Sequence, residues 1–122
     1  MDIQKDANLV KNIHSILNYY DKHLLAISLK NNMECKYQAE KILALIEKKD
    51  RIILKYNSIL ERLQRLTDKE RLLFYVYYIE QSQPIVVCGL FNISHRTLVR
   101  RLKTLKEKYS KGFTQYEPNI YF

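Results

Sequence analysis

The stretch FNISHRTLVRRLKTLKEKY, residues 91–109, decides how this chain is read. Asn92 is a residue that adopts the left-handed backbone conformation, so it ends one helix. Ser94 then opens the next, because its hydroxyl accepts from the free N–H groups of a first turn. From there Leu98, Leu102, Leu105 and Tyr109 recur at i, i+4, i+7 and i+11 and line one helical face. At about 100° per residue, Arg96, Arg100 and Lys103 fall within about 40° of the point opposite Leu98, flanked by His95 and Val99. A helix that packs on one side and presents arginines on the other suits a major groove.

Residues 84–91 allow a short helix, with Pro84 in the first turn where a missing N–H costs nothing. Short helix, asparagine turn and longer basic helix together make a helix-turn-helix unit. Cys88 is expected where the two helices approach most closely, and Phe91, Ile93 and Leu98 fill the angle between them. Upstream, Thr67 and Glu70 stand in the S/T-x-x-E relation of a capping box, which opens a third helix and sets a boundary near Arg65. Leu72, Leu73, Phe74, Val76, Tyr77 and Ile79 give that helix more apolar surface than one exposed stripe, so it is expected to be the buried scaffold. Tyr75, Tyr77 and Tyr78 read as core packing in preference to a base-stacking platform.

The run LTDKERLLFYVYYIEQSQPIVVCGLFNISHRTLVRRLKTLKEK, residues 66–108, resembles region 4 of the sigma-70 family. The likeness rests on Leu66-Thr67, the Glu70-Arg71 pair, the aromatic and aliphatic helix over residues 73–79, Ile93-Ser94, Thr97-Leu98 and the Arg100-Arg101 pair. It covers roughly a third of the chain. Asn92 stands where glycine is commoner in the turn, and Val86-Val87-Cys88 where the family has Glu-Ile-Ala. With no counterpart of sigma regions 2 or 3, the chain is more similar to small phage late-transcription regulators of the ArpU and RinA type. That resemblance implies double-stranded DNA as partner, a phage or mobile-element setting, and a contact with RNA polymerase.

The first two-thirds of the chain has neither glycine nor proline before Pro84, so an all-α fold is expected. Leu9, Ile13, Ile16, Tyr20, Leu24 and Ile27 step by threes and fours along a first helix over residues 2–30. The Asn31-Asn32 pair breaks it. A second helix over residues 33–63 carries Ile42, Leu45, Ile52, Tyr56, Ile59 and Leu63 at heptad spacing, interrupted only by Lys49. The expected architecture is a long N-terminal helical hairpin (1–65), a sigma-70 region 4-like three-helix module (66–111) and a tail (112–122) that starts where Gly112 ends the last helix. Leu17, Leu25, Leu29, Ile46, Ile53 and Leu60 widen the hairpin stripe and call for a third surface. That surface is either the C-terminal module or a second copy, which would make residues 9–63 a homodimer interface.

Charge is concentrated in one element. The chain carries +8, and residues 94–111 alone hold seven Lys or Arg against one Glu, whereas residues 1–61 hold ten against eight acids. The candidate DNA-binding set is therefore Ser94, His95, Arg96, Thr97, Val99, Arg100, Arg101 and Lys103. Ser94, Thr97 and the lysines are expected on phosphates, and His95, Arg96, Val99 and Arg100 at base edges.

Other classes lack support. No His, Cys or glycine spacing suggests a metal, a cofactor or a phosphate loop, and Asp21 and His23, two apart on a helix, point to different faces. No catalytic role or cofactor is expected. No apolar run approaches 18 residues and no signal-peptide order opens the chain, so a cytoplasmic protein without membrane contact is expected, with Cys35 and Cys88 as reduced thiols rather than a bridge. The aromatic tail is expected to dock on the helices or on a partner. An alternative to DNA binding is an interaction protein with a sigma region 4-like fold, such as an RNA polymerase adaptor or a packaging component.

Overall fold

A computed structural model describes residues 2–29 and 35–120, with side chains within 2–27 and 39–111. Among the described residues all regular structure is helical: α1 (Ile3–Leu29), α2 (Cys35–Gln64), α3 (Asp68–Phe74) continued by a π-turn (Tyr75–Ile79), α4 (Pro84–Phe91) and α5 (His95–Ile120). None of these helices is long and apolar enough to cross a membrane. The Asn31-Asn32 break and the pairing state of Cys35 lie outside the described residues. The Cys88 thiol is free.

The first two helices lie side by side and antiparallel, as two pairs across them show: Asp21 faces Lys49 at 2.5 Å, and Asp6 faces Arg62 at 3.4 Å. Ile13 and Ile59 are buried in the seam, on the stripes that periodicity marks. Lys49, the residue that interrupts the α2 stripe, is held by Asp21 from the opposite helix.

The end of α2 is closed by its neighbour. Arg71 of α3 donates through Nη1 to the carbonyls of Leu63, Gln64 and Leu66, at 3.3, 3.3 and 2.8 Å, and it also pairs with Asp68. Leu63 O already accepts from Leu66 N at 3.1 Å, so the two protons of Nη1 reinforce that turn and serve the Gln64 and Leu66 carbonyls beside it. Beside it the capping box is present: Glu70 N donates to Thr67 Oγ1 at 3.2 Å, and Thr67 N donates to Glu70 Oε1 at 2.9 Å. The Glu70-Arg71 pair thus closes one helix and opens the next.

One core crosses the expected boundary at residues 65–66. Ile3 and Ala7 of α1 are buried together with Leu66, Leu73, Phe74, Val76, Val87, Leu98, Leu105 and Tyr109. Full burial of each large apolar side chain contributes about 2 kcal/mol, so the start of α1 is part of what holds the C-terminal helices together. The Phe74 and Tyr109 rings stack at 5.8 Å, and the Arg62 guanidinium lies 5.1 Å from the Tyr109 ring centre. At the centre of this contact the Tyr109 hydroxyl donates to Asp6 Oδ2 at 2.7 Å. Burial raises the Tyr109 pKa well above its ordinary value, and the Asp6 carboxylate adds to the shift.

Three expectations need correction. Leu72 is exposed, because Leu73 and Phe74 already fill the inward side of α3 and the adjacent residue turns outward. Residues 75–79 wind as a π-turn, in which Glu80 N donates to Tyr75 O at 2.8 Å, before Gln81 turns the chain with φ 54°. Gly112 does not end the last helix, which runs on to Ile120. A glycine inside a helix costs about 1 kcal/mol relative to alanine, too little to stop propagation from packed turns. How the tail side chains dock lies outside the described residues.

Candidate nucleic-acid interface

The approach to α5 is built from backbone chemistry. Pro84 starts α4 behind Gln83, whose carbonyl accepts from Val86 N at 2.9 Å and Val87 N at 3.1 Å. At the other end Asn92 takes φ 53° and ψ 51°, as its short polar side chain allows. Ile93 N then reaches Cys88 O at 3.0 Å and Asn92 N reaches Gly89 O at 3.3 Å, the pair of bonds of a Schellman turn. Ile93, apolar and half-buried, tucks back against the helix it follows. Ser94 caps α5: its Oγ accepts from Thr97 N at 3.2 Å and donates to Thr97 Oγ1 at 3.0 Å.

Val87 fills the contact between α4 and the core more fully than Cys88, which stays at the rim. Leu98 is buried as expected, with Phe91 and Ile93 packed at the edge.

The candidate residues divide into four groups once α5 is anchored through Leu98, Leu105 and Tyr109. Arg96, Arg100 and Lys103 are exposed and turn away from that anchor. Val99, also exposed, borders them. His95 sits to one side, where it lines a cleft with Gln83 and with Pro84, Ile85 and Cys88 of α4. Arg101 turns to the other side, where with Arg100, Lys69, Thr104 and Lys108 it lines a cleft of about 310 Å³ beside the start of α3. Ser94 Oγ spends its proton within the cap, whereas Thr97 Oγ1 only accepts there and keeps its own proton to donate.

Electrostatics separates the outer face from the rest of the molecule. Lys108 is paired with Glu70 at 2.8 Å, whereas among the described residues no carboxylate lies in ion-pair range of Arg96, Arg100, Arg101 or Lys103. Burial opposes the charge on Glu70, but the Lys108 hydrogen bond and the Thr67 donors outweigh it and hold its pKa below the ordinary carboxylate value. Glu107 follows on the same outward face as Lys103 and marks where a uniformly basic surface stops.

Lys69 is the cation that sequence reasoning passed over. Its signal was present in the capping box, which fixes the start of α3 and so places residue 69 in its exposed first turn. What one sequence does not carry is that this turn faces Arg101 across a cleft. The described residues contain no cluster of three or more His, Cys, Asp or Glu side chains that would hold a metal ion. Compared with known proteins, the chain matches no family model, no curated protein and no solved structure.

Proposed function

We propose that this protein is a sequence-specific DNA-binding transcriptional regulator, built as an N-terminal helical hairpin followed by a sigma-70 region 4-like helix-turn-helix module. One observation carries the reading: among the described residues, Arg96, Arg100 and Lys103 stand without acidic partners on the outer face of a helix whose inner face is locked in the core. Cations left unpaired on a rigid, convex element are placed for phosphates and base edges. Arg96 and Arg100 read base edges, where arginine bonds bidentately to guanine, and Val99 meets a thymine methyl. Lys69, Arg101 and Lys103 hold the backbone on either side. By the same resemblance the setting is a phage or mobile element, with the regulated promoter read beside RNA polymerase.

Selection from a random duplex library tests this directly, at about 150 mM salt so that sequence-independent attraction is weakened. A motif should be enriched. Arg100→Ala should then weaken the cognate site by about 1 to 3 kcal/mol while changing scrambled duplexes less. About six phosphate contacts would give a slope near −5 for log affinity against log salt. Failure to enrich any motif, with the protein folded, would remove the reading.

A second reading has its own support on α4. Ile85 is 77% exposed and Leu90 66%, and with Val86 they spread apolar surface around the outer side of α4, next to the candidate DNA-reading helix. A surface of this kind fits a protein contact, and RNA polymerase is the partner that the sigma-like arrangement suggests. A protein bound there would show far weaker salt dependence than DNA.

A further inference from the structure

We propose that a second copy of this chain covers the outer half of the α1–α2 pair, giving a four-helix bundle across a twofold axis. Two antiparallel helices turn in the same sense about their shared seam, so residues displaced to the same side of Ile13 and Ile59 share one face. Leu17, Leu24 and Leu25 of α1 are displaced to that side, as are Ile42, Ile46 and Ile53 of α2. The Asp21–Lys49 pair confirms the match, because both residues lie on that flank and meet at 2.5 Å.

Near the module this face is covered. Ile3 and Ala7 are buried against the C-terminal helices, and Val10 lies at the edge of that contact beside Tyr75 and Ile79. Farther out Leu25 is 59% exposed and Ile46 39%, while Leu17, Leu24, Ile42 and Ile53 beside them are half-buried. The Leu29 side chain lies outside the described residues.

Charge and area select the occupant. Besides His14 the face carries one acid and one base, Asp21 and Lys49, so it offers little to a strongly charged partner. A twofold parallel to the helices would also bring Asp21 of one copy toward Lys49 of the other. The open part of α1 is about 25 Å long at 1.5 Å per residue, and two helices side by side are roughly 20 Å wide. A patch of that size covers about 500 Å² before corrugation, below the ~800 Å² per partner of a standard interface, and so suits a weak dimer. Short interruptions by a paired ion also fit a bundle interface, where they fix register at some cost in stability.

Sedimentation equilibrium of the full chain between about 1 and 100 µM tests the proposal in the range where a weak bundle still associates. The expected mass is twice the 14.7 kDa of one chain. Leu25→Glu combined with Ile46→Glu should weaken association by at least about 100-fold, since both charges would be desolvated in the bundle. Both sites are open in the single chain, so helical circular dichroism should not change. Leu25→Glu alone should move the mass in the same direction. Leu54→Glu, on the far side of α2, should leave the dimer intact. A wild-type monomer at the highest concentration would give the face to some other partner and overturn the proposal. So would a dimer that survives the double substitution, or one that Leu54→Glu dissolves. Mass is read without DNA, so the result stands apart from the DNA-binding reading.

Discussion

Tyr109 is the side chain through which the basic helix is held to the rest of the chain. Its ring is buried against Phe74, and its hydroxyl proton goes to Asp6, 103 residues away. Arg62 completes the contact from α2, so a carboxylate, a guanidinium and a phenol share one buried point. Removing one member leaves the others desolvated and short of a partner, which costs more than the bond itself is worth. Tyr109→Phe should therefore lower unfolding free energy by about 1 to 3 kcal/mol in urea titration. Asp6→Ala should cost more, about 3 to 5 kcal/mol, because Arg62 would keep its charge without the carboxylate. If Asp6→Ala proved the milder change, the carboxylate would not be what holds Arg62 in place. This point was invisible in the sequence. An aspartate on an amphipathic helix carries no sign of a partner on another element, whereas Asn92 and Ser94 were legible because their roles are settled by immediate neighbours.

Among elements, α3 has the most exposed electrostatic logic. Its capping box was readable from Thr67 and Glu70 alone, since both donors lie within one turn. The pairing of Glu70 with Lys108 was not, because it depends on how α5 crosses α3. The pKa of Glu70 is lowered in the folded protein, so folding favours its charged form. A lowered carboxylate pKa gives stabilisation that is complete above the unfolded value and is lost as pH falls through the folded one. Glu70→Gln keeps an acceptor for the cap but removes the charge that Lys108 meets. The variant should thus be less stable than the parent near neutral pH, and the gap should close as pH falls below about 5. A gap that stays constant down to about pH 3 would place the effect in the cap rather than in the ion pair. The π-turn that follows could not be read. Tyr75, Val76, Tyr77, Tyr78 and Ile79 are apolar or aromatic throughout, and a register change leaves no trace where no polar residue marks the outer side.

For the whole molecule, the sequence made the helical class and the course of each long helix legible, because period and punctuation are local. It also marked which side of α5 is basic. What it left open is how the pieces share a core. Residues 1–65 and 66–111 read as two units, since a capping box lies between them and their stripes can be explained separately. In the structure the start of α1 is buried among the C-terminal helices, through Ile3 and Ala7, and Gln4 Nε2 donates to Tyr78 O at 3.0 Å. A shared core of this kind should unfold as one unit, because residues of α1 are buried in the same cluster as those of α3, α4 and α5. Far-UV and near-UV circular dichroism should therefore follow one curve in urea, although one reports on all helices and the other on tyrosine packing. Deleting residues 1–8 removes Ile3, Asp6 and Ala7 together and should lower stability by at least about 3 kcal/mol, with loss of tyrosine packing in α3 and α5. Two separated transitions in the full chain, or a truncated chain with the parent's near-UV spectrum, would mean that the basic helix is held by its own module alone.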